Sequence, residues 1–510
     1  MSVEIESKVR IAICGIGMHF QETYTTALKR AAVRSLVEVA WVADLETKRD
    51  LALDLCRKAG QNPRFVGVEL FTDPVLPDST RYSFNKLLNA SPIDAVLIST
   101  TPEQHRAYAT WALENSLDVL IDKPVTSRPN AAHDVKQALG ILEDWEALHR
   151  LSTQMSRVVM INSHRRFHPA YWTVGELLGE VTRQYGFGVT SLTSFNSDGQ
   201  WRMPAELLEI GYHGFKDGNG VLSHFGYHYL DLANIWYRKG TPPERRADTA
   251  AISSSFSLAQ NYARQVTAKD ASRVLALKGQ PQPKPDDSRT IDALKNYGEV
   301  DSFGSIEMWR DDVITGHITL QMVHSGFSQR GWTRPAQNLY KENGRVRWEN
   351  HLIQQGPLHA IEVRSFQAVQ PSHFEPEEGL PRWELGGSDH LEINVFRNRL
   401  IGGKPLETIS VRDLLNEIPQ RDVVHEDIKA RTFQLFASIV ARRAGISNRI
   451  NESRAWANYV EKMLNGPGHD LSLLSTHQPT VAFMAGMYGS YAQRCGSQSR
   501  SERIRVGLRW

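Results

Sequence analysis

Near the middle of the chain, two histidines and an aspartate are spaced at i, i+4 and i+7: His224, His228 and Asp231. A helix that begins after Gly220 would align them on one face, because residues three and four apart in a helix lie above one another. An imidazole titrates near neutral pH, so this face is typical of proton-transfer chemistry. The other interpretation is a packed helix whose core histidines are hydrogen-bonded. The apolar side chains that would bury such a helix are Phe225, Tyr229, Leu232 and Trp236.

The same spacing, H-x3-H-x2-D, would also suit a zinc ion, since both imidazoles and the carboxylate share the face. No glutamate follows His224 as it does in the H-E-x-x-H hydrolases. A zinc site would also leave the motifs upstream unexplained. We therefore predict no metal.

The composition narrows the class of protein. A chain of 510 residues is too long for one ordinary core, and its 59 basic and 57 acidic residues nearly balance, which disfavours a nucleic-acid partner. Its three cysteines indicate neither a disulfide framework nor a multi-cysteine metal site. The apolar run near the N-terminus is too short for a signal peptide or a membrane span. We expect a soluble cytoplasmic protein without a membrane partner.

A glycine-rich turn follows the first apolar run. Residues 9–14 read as a buried strand, and Gly15-Ile16-Gly17-Met-His19-Phe20 supplies two of the three glycines of a dinucleotide-binding loop, before a helix at 23–35. The first glycine permits a tight turn and the second permits close approach of a pyrophosphate. A plain strand, turn and helix remains the alternative.

An acidic residue ends the second predicted strand, at residues 37–43. Asp44 is placed to accept hydrogen bonds from a ribose and to repel a 2′-phosphate, which favours NAD over NADP. Lys48 and Arg49 lie close by and keep NADP as an alternative cofactor, and Asp44 would also serve as a helix N-cap.

Strands at 95–99 and 119–121, separated by a helix at 107–115, continue the alternation of a doubly wound parallel sheet. Ligands of such sheets bind at the carboxyl ends of the strands. Gly15, Asp44, Thr101 and Lys123 all fall at these ends. Their coincidence is a stronger signal than the glycine turn alone.

These motifs together resemble the Gfo/Idh/MocA oxidoreductases. The resemblance includes Gly15-Ile16-Gly17, the segment Ser-Thr-Thr-Pro-Glu-Gln-His at 99–105, and Asp122-Lys123-Pro124 where the family usually has Glu-Lys-Pro. It extends to Arg166-Phe167 and to residues 218–228, which are similar to the family pattern Gly-Gly-Gly-x-Leu-x-Asp-x-Gly-x-His. The likeness is clear over residues 8–236 and diffuse thereafter.

The resemblance implies an α/β Rossmann domain with a doubly wound parallel sheet, followed by an α+β domain with an open, mostly antiparallel sheet. Lys123 and His228 match the family's catalytic lysine and histidine, whereas His224 replaces its usual aspartate. The cofactor contacts that we predict are Gly15, Ile16, Gly17, His19, Asp44, Thr100, Thr101, Pro102, His105, Asp122, Lys123 and Pro124.

The expected reaction is hydride transfer between NAD, or alternatively NADP, and a hydroxyl carbon of a sugar, a polyol or a sugar derivative. His228 would act as general acid/base, and Lys123 would polarise the substrate oxygen or relay its proton. Asp231 would orient His228. His224 would bind substrate or share the proton with His228. Arg166 and Lys216 are candidate substrate contacts.

Two alternatives remain: an NAD-dependent hydrolase or lyase that oxidises a sugar transiently, and a non-catalytic NAD sensor. The family's sheet favours a homo-oligomer, a dimer or a tetramer.

We predict that the chain has three parts: a cofactor domain at 1–164, a substrate and oligomerisation domain at 165–425, and a C-terminal helical extension at 426–510. Strands are expected at 188–195, 302–309, 313–323, 345–348 and 361–366. Apolar spacing predicts a helix from residue 389 to Leu400, and residues 278–287 read as an exposed proline-rich loop. Residues 496–510 are expected to form a mobile basic tail.

Overall fold

The computed structural model describes residues 8–209, 214–276, 288–331, 344–368, 390–410, 425–446, 471–496 and 503–510. Contacts divide the chain into two compact units. The first contains Met1–Ser127, Ile141–His168 and Asp422–Gln478, and the second contains Arg128–Gly140, Pro169–Arg421 and Pro479–Trp510. The three-part division at residues 164 and 425 stays a prediction, and the predicted loop at 278–287 lies outside the described residues.

The first unit contains the predicted parallel sheet. Its strand order is β3-β2-β1-β4-β5-β6 and every described pairing is parallel. The strands at residues 9–14, 95–98, 118–122 and 159–162 are mostly apolar and buried on both faces, as is typical of strands covered by helices on both sides. The strands are β1 (Val9–Cys14), β2 (Val37–Leu45), β3 (Arg64–Val68), β4 (Ala95–Ile98), β5 (Asp118–Asp122) and β6 (Val159–Asn162).

The second unit contains a sheet with nine described strands in the order β14-β13-β12-β11-β7-β10-β9-β8-β15. Only the β7–β10 pairing is parallel among these strands. The strands are β7 (Ser191–Ser197), β8 (Thr249–Leu258), β9 (Glu299–Arg310), β10 (Val313–Val323), β11 (Val346–Gln355), β12 (His359–Ala368), β13 (His390–Arg397), β14 (Leu406–Ser410) and β15 (Ile504–Gly507).

Helices connect and cover both sheets, and helix positions agree with the predicted alternation in the first unit. The α-helices are α1 (Thr25–Lys29), α2 (Ala31–Leu36), α3 (Arg49–Lys58), α4 (Asp78–Ala90), α5 (Pro102–Glu114), α6 (Val135–Gln154), α7 (Pro169–Tyr185), α8 (Pro204–Leu208), α9 (Gly226–Lys239), α10 (Ala259–Gln265), α11 (Ala268–Ala276), α12 (Ser288–Ala293), α13 (His425–Arg443) and α14 (Gln478–Gly496). Within the second unit, α7 and α9 pack against each other and α9 contacts β7 and β10.

The helix predicted from residue 389 to Leu400 is wrong: His390–Arg397 forms β13, and Leu400 lies in the short 3-10 helix Arg399–Ile401. Its buried side chains are Leu391, Ile393 and Val395, which alternate with period two and pack on the covered face of the sheet. The helical spacing relied on Phe396 and Leu400, which are 41% and 83% exposed. Pairing with β12 and β14 decides the conformation here.

The mobile tail is also wrong for its described part, residues 503–510. Ile504–Gly507 pairs antiparallel with β8 at the edge of the second sheet. The indole of Trp510 packs against the ring of Tyr237 with ring centroids 4.9 Å apart, and its Nε1 donates to the carbonyl of Ala247 at 2.5 Å. Aromatic and backbone contacts therefore fix the C-terminus on the second unit.

Candidate active site

The glycine turn after β1 has the geometry of a close backbone passage. Gly15 has a φ of +93°, and a Cβ added there would lie 2.5 Å from the carbonyl oxygen of Ser99. A side chain at this position is excluded both by conformation and by space. Gly17 is different, because an added Cβ would meet only an ordinary contact, 3.7 Å from the same oxygen. The space beside Gly17 is therefore open. A Cβ would fit there but would occupy the space that a ligand could use.

Phe20 stands where the dinucleotide fingerprint has its third glycine. Its side chain is buried and it begins a π-helical turn, Phe20–Tyr24, that runs into α1. A π-helical turn is wider than an α-helical one and is often found at functional sites. The large side chain at this position is thus buried at the start of a widened helical turn.

Asp44 is tied directly to the glycine turn. One carboxylate oxygen accepts the backbone N–H of Ile16 at 2.5 Å, and the other accepts the N–H of Leu45 at 2.7 Å. The ammonium of Lys48 lies 3.5 Å from the carboxylate. Arg49, the other predicted cation, pairs with Glu46 instead. The carboxylate is thus fixed at the end of β2, beside the turn.

A hydrogen-bonded cluster surrounds Asp122 at the end of β5. The carboxylate accepts the hydroxyl of Tyr24, the hydroxyl of Ser99 at 2.5 Å and the amide of Asn162 at 3.2 Å. The predicted cofactor residue His19 places its Nε2 3.5 Å from the same carboxylate. Burial, followed by the charge of Asp122, raises the pKa of Tyr24 well above its usual value. Tyr24 is therefore a neutral donor that holds the anion in place.

Sequence reasoning missed Tyr24, Ser99 and Asn162. Ser99 follows β4 and Asn162 ends β6, so both were available as polar residues at strand ends. Tyr24 gave no such signal, because the turn that contains it carries no recognised motif.

His105 links two of the predicted loops. Its ring is fully buried, with Nδ1 2.9 Å from the carbonyl oxygen of Pro124 and Nε2 3.2 Å from that of Thr100. Burial lowers its pKa, although the charge of Asp122 opposes the shift. The ring therefore connects the loop after β4 to the loop after β5.

The other predicted cofactor contacts in these two loops surround this connection. Thr101 is the N-cap of α5 and Pro102 is its first residue. Lys123 is partly exposed and directly follows β5.

In the second unit, the structure corrects the predicted helix that carries His224. Helix α9 begins at Gly226, so His228 and Asp231 are helical, whereas His224 lies in the preceding turn and is partly exposed. His228 is buried in the first turn of α9. Asp231 is also buried and accepts the hydroxyl of Thr480 at 3.0 Å.

Glu299 supports the turn that contains His224, and no sequence signal pointed to it. Its backbone carbonyl accepts the N–H of Val221 at 3.0 Å. Its side-chain Oε1 accepts the N–H of Leu222 at 2.9 Å and the hydroxyl of Tyr488 at 2.8 Å. A Cβ on Gly220 would lie 1.9 Å from the same backbone carbonyl, so this glycine is required by close approach. Burial raises the pKa of Glu299 to about 7.

The two candidate substrate residues lie in different surroundings. Arg166 is buried in the first unit and donates to the hydroxyl of Thr476 at 2.7 Å. Lys216 is exposed on the short 3-10 helix Phe215–Asp217 of the second unit. No cluster of three metal-ligating side chains occurs among the described residues. No helix in the described part of the chain is long and apolar enough to span a membrane.

Comparison with known proteins shows similarity to an oxidoreductase family over part of the chain. The oxidoreductase family GFO_IDH_MocA, described as an NAD-binding Rossmann fold, matches residues 9–141. Inositol 2-dehydrogenase 4 of Saccharopolyspora erythraea is 27% identical over 164 residues, which are 32% of this chain and 39% of that protein. The aligned part therefore spans well under half of the curated relative.

Solved structures extend the likeness over nearly the whole chain. An NAD binding oxidoreductase from Klebsiella pneumoniae has a TM-score of 0.55 at 11% identity, covering 99% of this chain and 100% of that one. A levoglucosan dehydrogenase in complex with NADH has the same TM-score at 12% identity and covers the same shares. Identities this low show the fold alone, a parallel Rossmann sheet followed by a mostly antiparallel one. The part of the chain that is similar to the Gfo/Idh/MocA oxidoreductases is therefore the NAD-binding Rossmann segment at residues 9–141.

Proposed function

We propose that the protein transfers a hydride between NAD and a hydroxyl carbon of a sugar, a polyol or a related small molecule. The observation that carries this proposal is the carboxyl edge of the first sheet, where the close turn at Gly15 and Gly17 is joined to the carboxylate of Asp44. The names of the relatives, an inositol dehydrogenase and a levoglucosan dehydrogenase, support hydroxylated ring compounds as the substrate class.

The residues of the first unit fit a dinucleotide. Gly17 leaves room for a pyrophosphate against the backbone, and the helical turn after it presents N–H groups. Asp44 would accept ribose hydroxyl groups, and its negative charge would oppose a 2′-phosphate. Lys48 is the cation beside this carboxylate, so NADP remains the second cofactor to test. When bound, the nicotinamide supplies the hydride acceptor.

The protein's own groups would handle the proton and the charge on oxygen. We assign His228 as the general acid/base that takes the hydroxyl proton, and Lys123 as the cation that stabilises developing negative charge. Asp231 would position His228 from the next turn of α9. His224 would orient a substrate hydroxyl or share the proton with His228. Sharing the proton is the role in which a second imidazole differs most from a carboxylate. Arg166 and Lys216 remain proposed substrate contacts.

The test uses the full-length protein in two steps. NAD and NADP are first titrated calorimetrically, and we expect NAD to bind more tightly. A panel of cyclic and linear polyols, aldoses and sugar acids is then scored by NADH absorbance. Net NADH formation supports the dehydrogenase, whereas release of an aglycone without net NADH would refute it in favour of the transient-oxidation reaction. Tight NAD binding with no turnover on the whole panel would refute it in favour of a sensor.

We also propose that the protein is a homo-oligomer in the cytoplasm. One face of the second sheet exposes large apolar side chains to solvent in the single chain: Phe303, Trp348, Leu352 and Phe396, each 38–41% exposed. Strand register places them on the face opposite to the buried Ile353 and Val395. Light scattering of wild type and Trp348→Glu tests this, and a monomeric wild-type protein would contradict it. The free thiols of Cys14, Cys56 and Cys495 support a reducing compartment.

A further inference from the structure

A cavity of about 380 Å³ lies within the second unit. The C-terminal part of α7 forms one side of it, and the turn between β13 and β14 forms another. Its volume is within the range of small-molecule sites, roughly 300–1,000 Å³. The lining residues include three apolar side chains, Leu177, Val181 and Ile401, and three polar ones, His359, Arg397 and Lys404.

This cavity is distinct from the surroundings of His228. Gln355, which contacts His359, donates its amide to the carbonyl of Gly240, the residue that caps the C-terminal end of α9. His228 is in the first turn of that helix. Twelve residues at 1.5 Å each separate the two positions by roughly 18 Å along the helix.

His359 presents a buried hydrogen-bond acceptor. Its Nδ1 lies 2.7 Å from Oε1 of Gln355, whose amide nitrogen is fixed by the carbonyl of Leu178 and the hydroxyl of Thr182, each at 3.0 Å. Because Oε1 only accepts, Nδ1 carries the hydrogen and Nε2 has a free lone pair. Nε2 is buried, in a side chain 3% exposed, and has no hydrogen-bond partner among the described residues.

The state of the ring at neutral pH agrees with this tautomer. Burial, and then the nearby charge of Arg397, lowers the pKa of His359 to about 4, so the ring is neutral. An unmet buried acceptor destabilises the folded protein, and a ligand that donates a hydrogen bond to it would remove that cost.

The charges around the cavity cancel. Arg397 is paired with Glu407 at 2.7 Å, and Lys404 and Glu180 are exposed charges of opposite sign at the rim. The hydroxyl of Tyr185 donates to the carbonyl of Ile401 at 3.1 Å and so holds the turn over the cavity. The site therefore offers donors and acceptors without a net charge, together with an apolar wall.

We propose that this cavity binds an uncharged polyhydroxylated molecule of monosaccharide or cyclic-polyol size, with one ligand hydroxyl donating to Nε2 of His359. A ring of this class has an apolar C–H face for Leu177 and Val181 and hydroxyl groups for Lys404 and Glu180. The cavity is a second ligand site, separate from the proposed site of hydride transfer that contains His228.

Saturation-transfer NMR tests the proposal with D-glucose and myo-inositol as probes, on the full-length protein without cofactor. The variant His228→Ala is the background, so that binding at the proposed reaction site is weakened. We expect saturable binding that falls at least tenfold in His359→Leu and several-fold in Lys404→Ala. Lys295→Ala, an exposed lysine outside the cavity, is the matched control and should bind like the background.

Two results would overturn the proposal: no saturable binding of either probe, or binding that His359→Leu and Lys404→Ala leave unchanged. If His359→Leu does not fold, Gln184→Trp decides instead, because it adds bulk at the exposed rim of the cavity without disturbing the core. The readout is binding without turnover. A failure of the proposed dehydrogenase reaction would therefore not affect the evidence for binding in the cavity. A failure to bind in the cavity would likewise not affect the evidence for the reaction.

Discussion

Replacing Glu299 with glutamine tests how the turn that contains His224 is held. The carboxyl group is fully buried and its pKa rises from 4.5 to about 7 because burial disfavours the charged form. The folded state therefore retains a proton that the unfolded chain releases above pH 4.5. Stability from this group is complete below pH 4.5 and is lost as pH rises toward 7, beyond which the loss is constant.

The size of the effect follows from the shift. One pKa unit corresponds to about 1.4 kcal/mol, so the full shift is worth roughly 3 kcal/mol, of which roughly 2 to 3 kcal/mol is lost between about pH 5 and about pH 8. Glutamine stays neutral and its Oε1 can still accept from Leu222 and Tyr488. Any cost of its added N–H groups does not change with pH. We expect Glu299→Gln to gain stability relative to wild type by that amount across the interval.

Urea unfolding of both proteins at several pH values measures the difference, and groups common to the two cancel. A difference in stability that stays constant from about pH 5 to about pH 8 would refute the reasoning, since it would mean that Glu299 ionises normally. Tyr488→Phe gives an independent check. It removes the hydroxyl that donates to the carboxylate and so raises the pKa of Glu299 in the folded state further; the loss of stability should therefore continue to a higher pH than in wild type.

The remaining predictions concern the cofactor turn and the proposed acid/base. Gly15→Ala should lower the melting temperature, because its φ is +93° and its Cβ would lie 2.5 Å from Ser99, whereas Gly17→Ala should melt like wild type and weaken NAD in calorimetry. Equal melting of both variants would contradict this contrast. Asp44→Ala should weaken NAD about ten- to a hundredfold and reduce the preference over NADP, as expected for lost charged hydrogen bonds; unchanged cofactor preference would remove Asp44 from this role. His228→Ala should reduce kcat by about 10² to 10⁴ with NAD affinity unchanged, and unaltered turnover would end its assignment. His224→Asp should shift the pH–rate profile to higher pH, because an added carboxylate favours protonated neighbours; an unmoved profile would place His224 outside the proton path.

Much of the first unit could be predicted because its signals are local. Buried strands such as Val9–Cys14 and Ala95–Ile98 read as short apolar runs, and helices separate them. In a parallel sheet with such connections, all carboxyl ends meet at one edge. Chain order alone was therefore enough to bring Gly15, Asp44, Thr101 and Lys123 to that edge.

The misreadings and omissions arose where the partners are distant in sequence. The segment His390–Arg397 has apolar residues that fit a helix or a strand, and pairing with His359–Ala368 selects the strand. The C-terminal segment Ile504–Gly507 gains order only by pairing with Thr249–Leu258. Neither outcome is encoded within a window of ten residues.

The sequence by itself determined the alternation of strands and helices in the first unit, the close glycine turn and the resemblance to an oxidoreductase family, because these depend on residues near one another in the chain. Tertiary structure alone decided which buried polar groups hold the site in place. Tyr24 reaches Asp122 from 98 residues away, and Tyr488 reaches Glu299 from 189 residues away. A buried carboxylate must find its hydrogen-bond donors wherever the fold brings them, and no local pattern records that choice.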